Sequence, residues 1–123
     1  MWQTKLIVLS RNELDILKKT RKDIVKRFLE IFILTKLKNN TLLSGYDFVE
    51  IIHKQFGFWM SPGTVYSALY RMERKGLIKP FCVSKFESRK RAYTVTEEGK
   101  KLLLINAKFE DSIVSFIKGI FNG

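Results

Sequence analysis

The sequence has very few of the residues that build disulfides, metal sites and nucleophilic active sites. Cys82 is the only cysteine and His53 the only histidine among 123 residues. A single thiol cannot form an internal disulfide, and one thiol with one imidazole is too small a set to hold a metal ion. No serine or cysteine stands at a recognisable catalytic spacing from His53. We therefore expect no enzyme, metal or cofactor. We assign His53 to a surface position or to helix packing, and Cys82 to a small apolar position rather than a redox sensor.

Long apolar runs are missing as well. Near the amino terminus only residues 6–9 are consecutively apolar, which is too short for the core of a signal peptide. No run approaches the ~20 residues that a transmembrane helix needs. With 46% hydrophobic residues the chain can bury one core. We expect a single compact cytoplasmic protein with no membrane partner.

Acidic residues are scarce, and the basic excess is concentrated. Lys and Arg number 23 against 12 Asp and Glu, which gives a net charge of +11 and a pI near 9.9. Residues 61–91 alone carry eight basic and two acidic side chains. A domain this basic usually binds a polyanion such as nucleic acid or an acidic membrane surface. Residues 61–91 are therefore the expected place of contact with a polyanion.

The amino-terminal third predicts helical structure. A capping box at residues 10–13 predicts a helix that begins near Arg11 and continues with an apolar stripe to Lys38. A second capping box at residues 20–23 leaves open whether this is one helix or two. Residues 5–9 fit either a strand of a small sheet or an arm that packs on a partner.

Two helices joined by a short turn follow. The first begins at Gly45 and is ended by Gly57, and the second covers residues 61–75, with Ser61 as N-cap and Pro62 at the first helical position. The predicted inward faces are Phe48, Ile51, Ile52 and Phe56 on the first helix and Val65, Ala68, Leu69 and Met72 on the second. This is the helix-turn-helix arrangement.

The outward face of the second helix is suited to a DNA groove. It carries Gly63, Thr64, Tyr66, Ser67, Tyr70, Arg71 and Arg74. Small residues at the helix start, beginning at Ser61, let backbone N–H groups approach phosphates, and the hydroxyl and guanidinium groups can reach phosphate oxygens or base edges. Packing of Tyr66 and Tyr70 against a neighbouring helix or strand is the alternative.

A basic β-hairpin is predicted next. One strand begins at Leu77 and the return strand covers residues 91–95, with alternating apolar side chains. The basic residues of its tip are Lys85, Arg89, Lys90 and Arg91. Beside a recognition-type helix this hairpin predicts a wing that contacts the phosphate backbone. A solvated loop is the alternative for the tip taken in isolation.

Several segments, in order and without large gaps, resemble the PadR family of winged-helix transcriptional regulators over about residues 25–105. They are Gly45-Tyr46-Asp47, Phe56-Gly57, Ser61-Pro62-Gly63-Thr64-Val65-Tyr66, Ala68-Leu69, Glu73-Arg74-Lys75-Gly76-Leu77-Ile78, Arg89-Lys90-Arg91-Ala92-Tyr93 and Thr96-Glu97-Glu98-Gly99. The resemblance implies a homodimer that binds operator DNA, commonly as a repressor, with residues 61–75 in the major groove and the hairpin as wing. It also implies that a small hydrophobic compound can act as effector.

Three positions depart from the family's pattern. Ser44 stands where His is frequent, Tyr70 replaces a more usual basic residue, and Pro80 interrupts the first wing strand. Because proline cannot donate a ladder hydrogen bond, we expect Pro80 to face outward on an edge strand. The DNA sequence preference is the property that these departures affect most.

The carboxyl-terminal residues predict one helix that Thr96 caps. Its apolar stripe consists of Leu102, Ile105, Phe109, Ile113, Phe116 and Ile120, at a nearly coiled-coil period. We predict that this stripe is a dimer interface, buried against the same helix or the amino-terminal helix of a second subunit. Folding back onto the chain's own first helix is the alternative.

A single carboxyl-terminal helix resembles the smaller PadR subgroup, whose ligand sites lie between aromatic side chains at the dimer interface. The large aromatic residues that the winged core does not need are Trp2, Trp59, Phe109, Phe116 and Phe121. Structural packing is the better interpretation of each. We therefore predict no particular effector.

The fold class predicted is mainly α with a small β-hairpin (α+β), a winged helix-turn-helix followed by a dimerisation helix. The predicted divisions are an arm or helix over residues 1–20, the DNA-binding domain over 21–96 and the dimerisation helix over 97–123. The predicted function is a sequence-specific homodimeric repressor bound to double-stranded DNA. A non-specific architectural DNA-binding protein and a winged-helix protein-interaction module are the alternatives.

Overall fold

The structure, a computed structural model, describes residues 9–39, 41–82 and 91–123. The elements are α1 (Arg11–Arg27), α2 (Leu29–Leu37), β1 (Leu43–Ser44), α3 (Gly45–Phe56), α4 (Pro62–Arg74), β2 (Ile78–Cys82), β3 (Arg91–Val95), α5 (Glu97–Lys108) and α6 (Glu110–Asn122). The predicted mainly helical class with a small sheet is confirmed. The expectation for residues 5–9 lies almost wholly outside the described residues.

The first helical segment is divided at Phe28. Ser10 caps α1 as predicted, because the Glu13 N–H donates to its Oγ at 3.1 Å. The second capping box at Thr20 is wrong: its hydroxyl donates to the Ile16 carbonyl at 3.0 Å, inside a continuous helix. The break instead comes at Phe28, with φ −100° and ψ 17°, where the charged α1 gives way to the apolar α2.

The turn into α3 is fixed by a reciprocal capping box. The Asp47 N–H donates to Ser44 Oγ at 3.1 Å, and the Ser44 N–H donates to Asp47 Oδ2 at 2.8 Å. At the other end Gly57 has φ 81°, a left-handed conformation that glycine adopts without strain. Both predicted boundaries of this helix are therefore confirmed.

One predicted core residue of α3 lies at the surface. Phe48 and Ile52 are buried, as expected, but Phe56 is 40% exposed. Its ring centroid is 5.4 Å from that of Phe32 and 6.1 Å from that of Phe58. Phe56 is the last residue of α3, and it contacts two half-buried aromatic side chains at the edge of the core.

The sheet has three antiparallel strands in the order β1-β3-β2. Leu43 of β1 is paired with Tyr93 of β3, which on its other side is paired with Pro80 of β2. Strand β1 was not predicted, because two residues are too few to show an alternating pattern. Pro80 is exposed on the edge strand, as its missing N–H requires.

The core lies between α2, α3, α4 and the sheet. It includes Leu34 of α2, Ile52 of α3, Leu69 of α4 and Val95 of β3, each at most 5% exposed. All four inward residues predicted for α4 are buried. The core therefore holds α4 with its opposite face outward.

The carboxyl-terminal segment is two helices rather than the predicted single one. Thr96 caps α5 as expected, since its Oγ1 accepts from the Gly99 N–H at 3.1 Å and donates to the Gly76 carbonyl at 2.6 Å. At Phe109 the backbone turns to φ −107° and ψ 22°. The Phe109 N–H still bonds to the Ile105 carbonyl at 3.2 Å, so the interruption is a local kink. None of the helices within the described ranges is long and apolar enough to cross a membrane.

Candidate nucleic-acid interface

The amino-terminal end of α4 is exposed and carries small side chains. Ser61 occupies the N-cap position, and its carbonyl accepts from the N–H groups of Thr64 at 3.0 Å and Val65 at 3.3 Å. Its hydroxyl, however, makes no capping hydrogen bond within the part of the chain that the structure describes. The Ser61 hydroxyl and the start of the helix are therefore presented to solvent together.

A groove lies between this end of α4 and α1. Its volume is about 460 Å³, and its lining residues are Lys26, Leu29, Ser61, Gly63, Thr64, Ser67 and Arg71. The groove brings five predicted site residues onto one surface with Lys26, which no motif of the sequence indicated. Lys26 is far from α4 in sequence, so only the packing of the helices could show that it belongs to this surface.

A second hollow lies on the other side of α4, against β3. Its volume is about 490 Å³, and its lining residues are Tyr66, Ser67, Tyr70, Arg71, Glu73, Arg91 and Tyr93. Five of these are predicted site residues, and Glu73 and Tyr93 are additions. Ser67 and Arg71 line both hollows, so they lie at the centre of the exposed face of α4.

The two tyrosines of α4 differ in their surroundings. The ring of Tyr66 lies against Gly45 so closely that a Cβ there would collide with it, although Tyr66 is 48% exposed. Tyr70 is 60% exposed, and the Arg74 guanidinium lies 5.7 Å from its ring centroid. The alternative prediction, packing against a neighbouring helix, therefore holds in part for Tyr66. Tyr70 is exposed to solvent beside Arg74.

Three basic residues of this surface are paired with carboxylates. Glu30 of α2 lies with Oε2 3.7 Å from Arg71 Nε and with Oε1 3.2 Å from Lys75 Nζ. Glu73 lies with Oε1 3.7 Å from Arg91 Nη1. The charge of this face is thus less uniformly positive than the sequence composition indicates.

Tyr93 connects the sheet to the second hollow. It is only 6% exposed, and burial raises the pKa of its hydroxyl above the usual 10.0, while a hydrogen bond with Arg91 acts in the opposite direction. The hydroxyl is therefore neutral at physiological pH. Its neutral side chain lies beside the cation of Arg91 at the base of the predicted wing.

Some predicted residues lie outside the described residues, whereas the surroundings of His53 are now known. Lys85, Arg89 and Lys90 of the predicted tip, together with Trp2 and the side chain of Cys82, are among those not described. His53 stacks on Trp59 with ring centroids 3.8 Å apart, which confirms a packing role. Within the described ranges, no three His, Cys, Asp or Glu side chains are grouped to hold a metal ion.

The carboxyl-terminal helices present a broad apolar face. Ile105, Phe109, Phe116 and Ile120 of the predicted stripe are 57%, 52%, 78% and 69% exposed, whereas Leu102 and Ile113 are half-buried. Leu104 and Phe121 add exposed apolar area that the stripe did not include. Between this face and α2 runs a groove of about 480 Å³, lined by Phe28, Ile31, Thr35, Lys38, Leu103, Leu104, Asn106, Ala107, Glu110, Ile113 and Val114.

Comparison with known proteins identifies the family. Residues 33–104 match the Transcriptional regulator PadR-like family. The chain belongs to this family. It is a PadR-like transcriptional regulator of a DNA-binding, non-enzymatic class, as the sequence motifs implied. No protein of curated function matches it.

Solved structures of other PadR-like proteins are similar to this regulator. A PadR family transcription regulator from Clostridium difficile R20291 is 32% identical, and the match covers 78% of this chain and 99% of that one, with a TM-score of 0.61. Bacillus subtilis PadR, crystallised in complex with operator DNA, is 27% identical over 61% of this chain and 44% of its own, with a TM-score of 0.53. A PadR family regulator from Eggerthella lenta DSM 2243, at 18% identity, shares the fold over 91% of this chain and 97% of its own, with a TM-score of 0.71. The matches span nearly all of the Clostridium difficile and Eggerthella lenta chains and less than half of Bacillus subtilis PadR.

Proposed function

We propose that this PadR-like regulator is a cytoplasmic homodimeric repressor in which α4 enters the major groove of a specific operator. The observation that carries the proposal is the exposed face of α4, where the predicted groove-contact residues line two adjoining hollows. Ser67 and Arg71 lie between those hollows, at the place where base edges would be reached. The relative from Bacillus subtilis, crystallised with operator DNA, supports the same use of the fold.

The contacts divide into two groups. Phosphates would be bound by the Ser61 end of α4, by Lys26 and by Lys85, Arg89 and Lys90 of the wing, because these groups are small donors or flexible cations. The groove contacts would come from Thr64, Tyr66, Ser67, Tyr70, Arg71 and Arg74 of α4, with Arg91 at its edge. The first group sets affinity and the second sets sequence preference.

Dimerisation is supported by the apolar face of α5 and α6. Every side chain of α6 is exposed or only half-buried, although large apolar residues recur along it. Each such side chain contributes about 1.5–3 kcal/mol when fully buried. We infer that residues 97–123 pack on the same segment, or on α1, of a second subunit, while residues 21–96 form the DNA-binding domain.

The experiment that tests the proposal is selection of random duplexes at moderate salt, followed by sequencing of those retained. A pseudo-palindromic motif with half-sites about one helical turn apart is expected of a dimeric operator-binding protein. Retention without enrichment would instead establish an architectural role, and no retention at low salt would favour a protein-interaction module. If ~6–10 phosphates are neutralised, the affinity for the motif should fall by three to five powers of ten between about 50 and 200 mM salt.

Transcription in vitro from a promoter that carries the selected motif tests the direction of regulation. A repressor lowers the amount of transcript as protein is added, and a rise would identify an activator. The variant in which Arg89 and Lys90 are both alanine should bind all duplexes more weakly by the same factor. Ser67→Ala should also change the preference among them, so that the two variants separate phosphate contacts from base contacts.

A further inference from the structure

Glu30 is a carboxylate within a basic surface, and it contacts two cations of α4. One oxygen, Oε1, lies 3.2 Å from Lys75 Nζ, and the other, Oε2, lies 3.7 Å from Arg71 Nε. The Glu30 side chain is 27% exposed, whereas the side chains of Arg71 and Lys75 are 54% and 58% exposed. Each oxygen thus has its own cation, and the carboxylate is the least exposed member of the group.

The helix that carries Glu30 is firmly packed. Leu29, Ile33 and Leu34, its neighbours on α2, are 2%, 0% and 0% exposed in the core shared with α4. Glu30 is therefore held at a fixed place beside α4. A carboxylate on a different helix thus lies beside the Arg71 side chain and favours those of its many rotamers that keep the guanidinium near Glu30.

The atoms involved determine what Arg71 can still bind. Glu30 contacts the guanidinium through Nε, so the end of the group, where each terminal amino group presents one N–H, is not used by this contact. Those two groups form the planar fork that donates to O6 and N7 of guanine, the commonest base-specific contact in the major groove. Arg71 also lines both hollows of the α4 face, where a base edge would approach.

Stability accounts for only a small part of this arrangement, through the place of Glu30 in the first turn of α2, where a negative charge interacts favourably with the helix dipole. Ion pairs between side chains as exposed as these contribute little to folding. A carboxylate close to the phosphate backbone also lowers affinity for every DNA sequence, so a protein that only coats DNA gains nothing from it. An orienting role explains why a negative charge stands among the basic residues.

We propose that Glu30 is a positioning residue that determines DNA specificity, by holding Arg71 so that its terminal amino groups recognise a guanine. This rests on the proposed function, in which α4 occupies the major groove. Glu30 itself contacts no base. It acts through Arg71 and, by holding Lys75 as well, keeps a second cation from binding phosphates indiscriminately.

Selection of random duplexes with Glu30→Gln, Arg71→Lys and the wild-type full-length protein tests this. Glu30→Gln keeps the shape of the side chain and removes its charge, and Arg71→Lys keeps a cation and removes the fork. Both variants should lose guanine preference at one and the same position of each half-site, by at least about fivefold, and keep the rest of the motif. Glu30→Gln should in addition bind random duplexes more tightly than the wild type does.

Glu98→Gln is the matched control. It changes the net charge by the same amount and breaks an exposed ion pair, that with Lys101 at 3.4 Å, on α5. It should leave the motif unchanged. Thermal unfolding of every variant verifies that each is folded, and we expect the melting temperature of Glu30→Gln to stay close to that of the wild type.

The failures of the two proposals are distinguishable. If Arg71→Lys loses the guanine and Glu30→Gln keeps it, the role of Glu30 is refuted while α4 remains the recognition helix. The role is also refuted if Glu30→Gln scales all affinities alike, as the control would. If the wild-type protein enriches no motif, the proposed function itself fails.

Discussion

At the scale of single residues, Tyr93 shows how one side chain serves both the core and the candidate interface. It is paired across the sheet with Leu43 and Pro80, and it lines the hollow beside α4. Its position depends on β1, which the sequence did not reveal, so alternation within β3 alone indicated only an inward residue. The burial of Tyr93 therefore depends on all three strands of the sheet.

The raised pKa of Tyr93 predicts a dependence of stability on alkaline pH. The unfolded chain ionises this phenol near 10, whereas the folded protein keeps it protonated to a higher pH. The contribution of Tyr93 to the free energy of unfolding is thus fully present below about pH 10, and it is lost as the pH rises through the pKa of the folded state. Urea unfolding between about pH 8 and pH 11 should show a smaller loss of stability with rising pH for Tyr93→Phe than for the wild type. The exposed Tyr46→Phe should behave as the wild type does, and equal losses in both variants would contradict the assignment.

Gly45 predicts a second residue-scale effect, on the position of Tyr66. A Cβ at residue 45 would collide with the Tyr66 ring, which is half-exposed and can swing outward. Gly45→Ala should therefore cost under about 1 kcal/mol of folding stability but lower DNA affinity by about fivefold, that is ~1 kcal/mol. Filter binding to the selected motif measures this. In a Tyr66→Ala background, Gly45→Ala should have no further effect on affinity, and full additivity would disprove the contact.

At the scale of elements, the close approach of α5 to the turn after α4 depends on Gly99. A Cβ at this residue would collide with the carbonyl oxygen of Leu77 and would lie 2.8 Å from Val95 Cγ2. Gly99→Ala should destabilise the protein by about 1–3 kcal/mol, because a backbone atom cannot move aside. Gly119→Ala is the control, since nothing lies within 4 Å of its added Cβ, and alanine there should stabilise α6 by up to ~1 kcal/mol. In urea unfolding at one protein concentration, the midpoint should be lower for Gly99→Ala and higher for Gly119→Ala than for the wild type.

Helix α1 extends the candidate interface through Lys26. It lines the groove at the start of α4, so a phosphate bound there would meet its ammonium group. Lys26→Ala should weaken binding to all sequences alike and reduce the slope of log affinity against log salt by about 1. Lys118→Ala, on α6, should change neither quantity. A change of motif with Lys26→Ala would mean that this residue contacts bases.

Local signals predicted some elements well, and tertiary packing decided the others. The ends of α3 follow from Ser44 and Gly57, because a capping box and a left-handed glycine act within a few residues. The kinks at Phe28 and Phe109 have no such local signal, since neither proline nor glycine marks them. The outward face of α4 was predictable from the sequence, but the proximity of Lys26 and Glu30 to that face depends on helices far away in sequence.

At the scale of the whole molecule, the apolar face of α5 and α6 predicts that stability depends on concentration. If two subunits cover this face, the melting temperature should rise with protein concentration, because association favours the folded state. Replacing Phe116 and Ile120 together by serine should abolish that rise and give a monomer in sedimentation. Tyr46→Ser removes an exposed aromatic side chain from α3 and should leave both measurements unchanged. A monomeric wild type at all concentrations would refute the dimer.

The pairing of β1 with β3 also orders the events of folding. Leu43 and Tyr93 are neighbours in the sheet, yet the chain between them includes the whole helix-turn-helix. Closing so long a loop is entropically costly, whereas the helices form from local contacts. During synthesis the β1–β3 pair cannot form until β3 has left the ribosome, so the sheet is completed after α3 and α4 have emerged. We expect the nascent regulator to acquire its hollow beside α4, and with it the complete candidate interface for DNA, only after β3 has emerged.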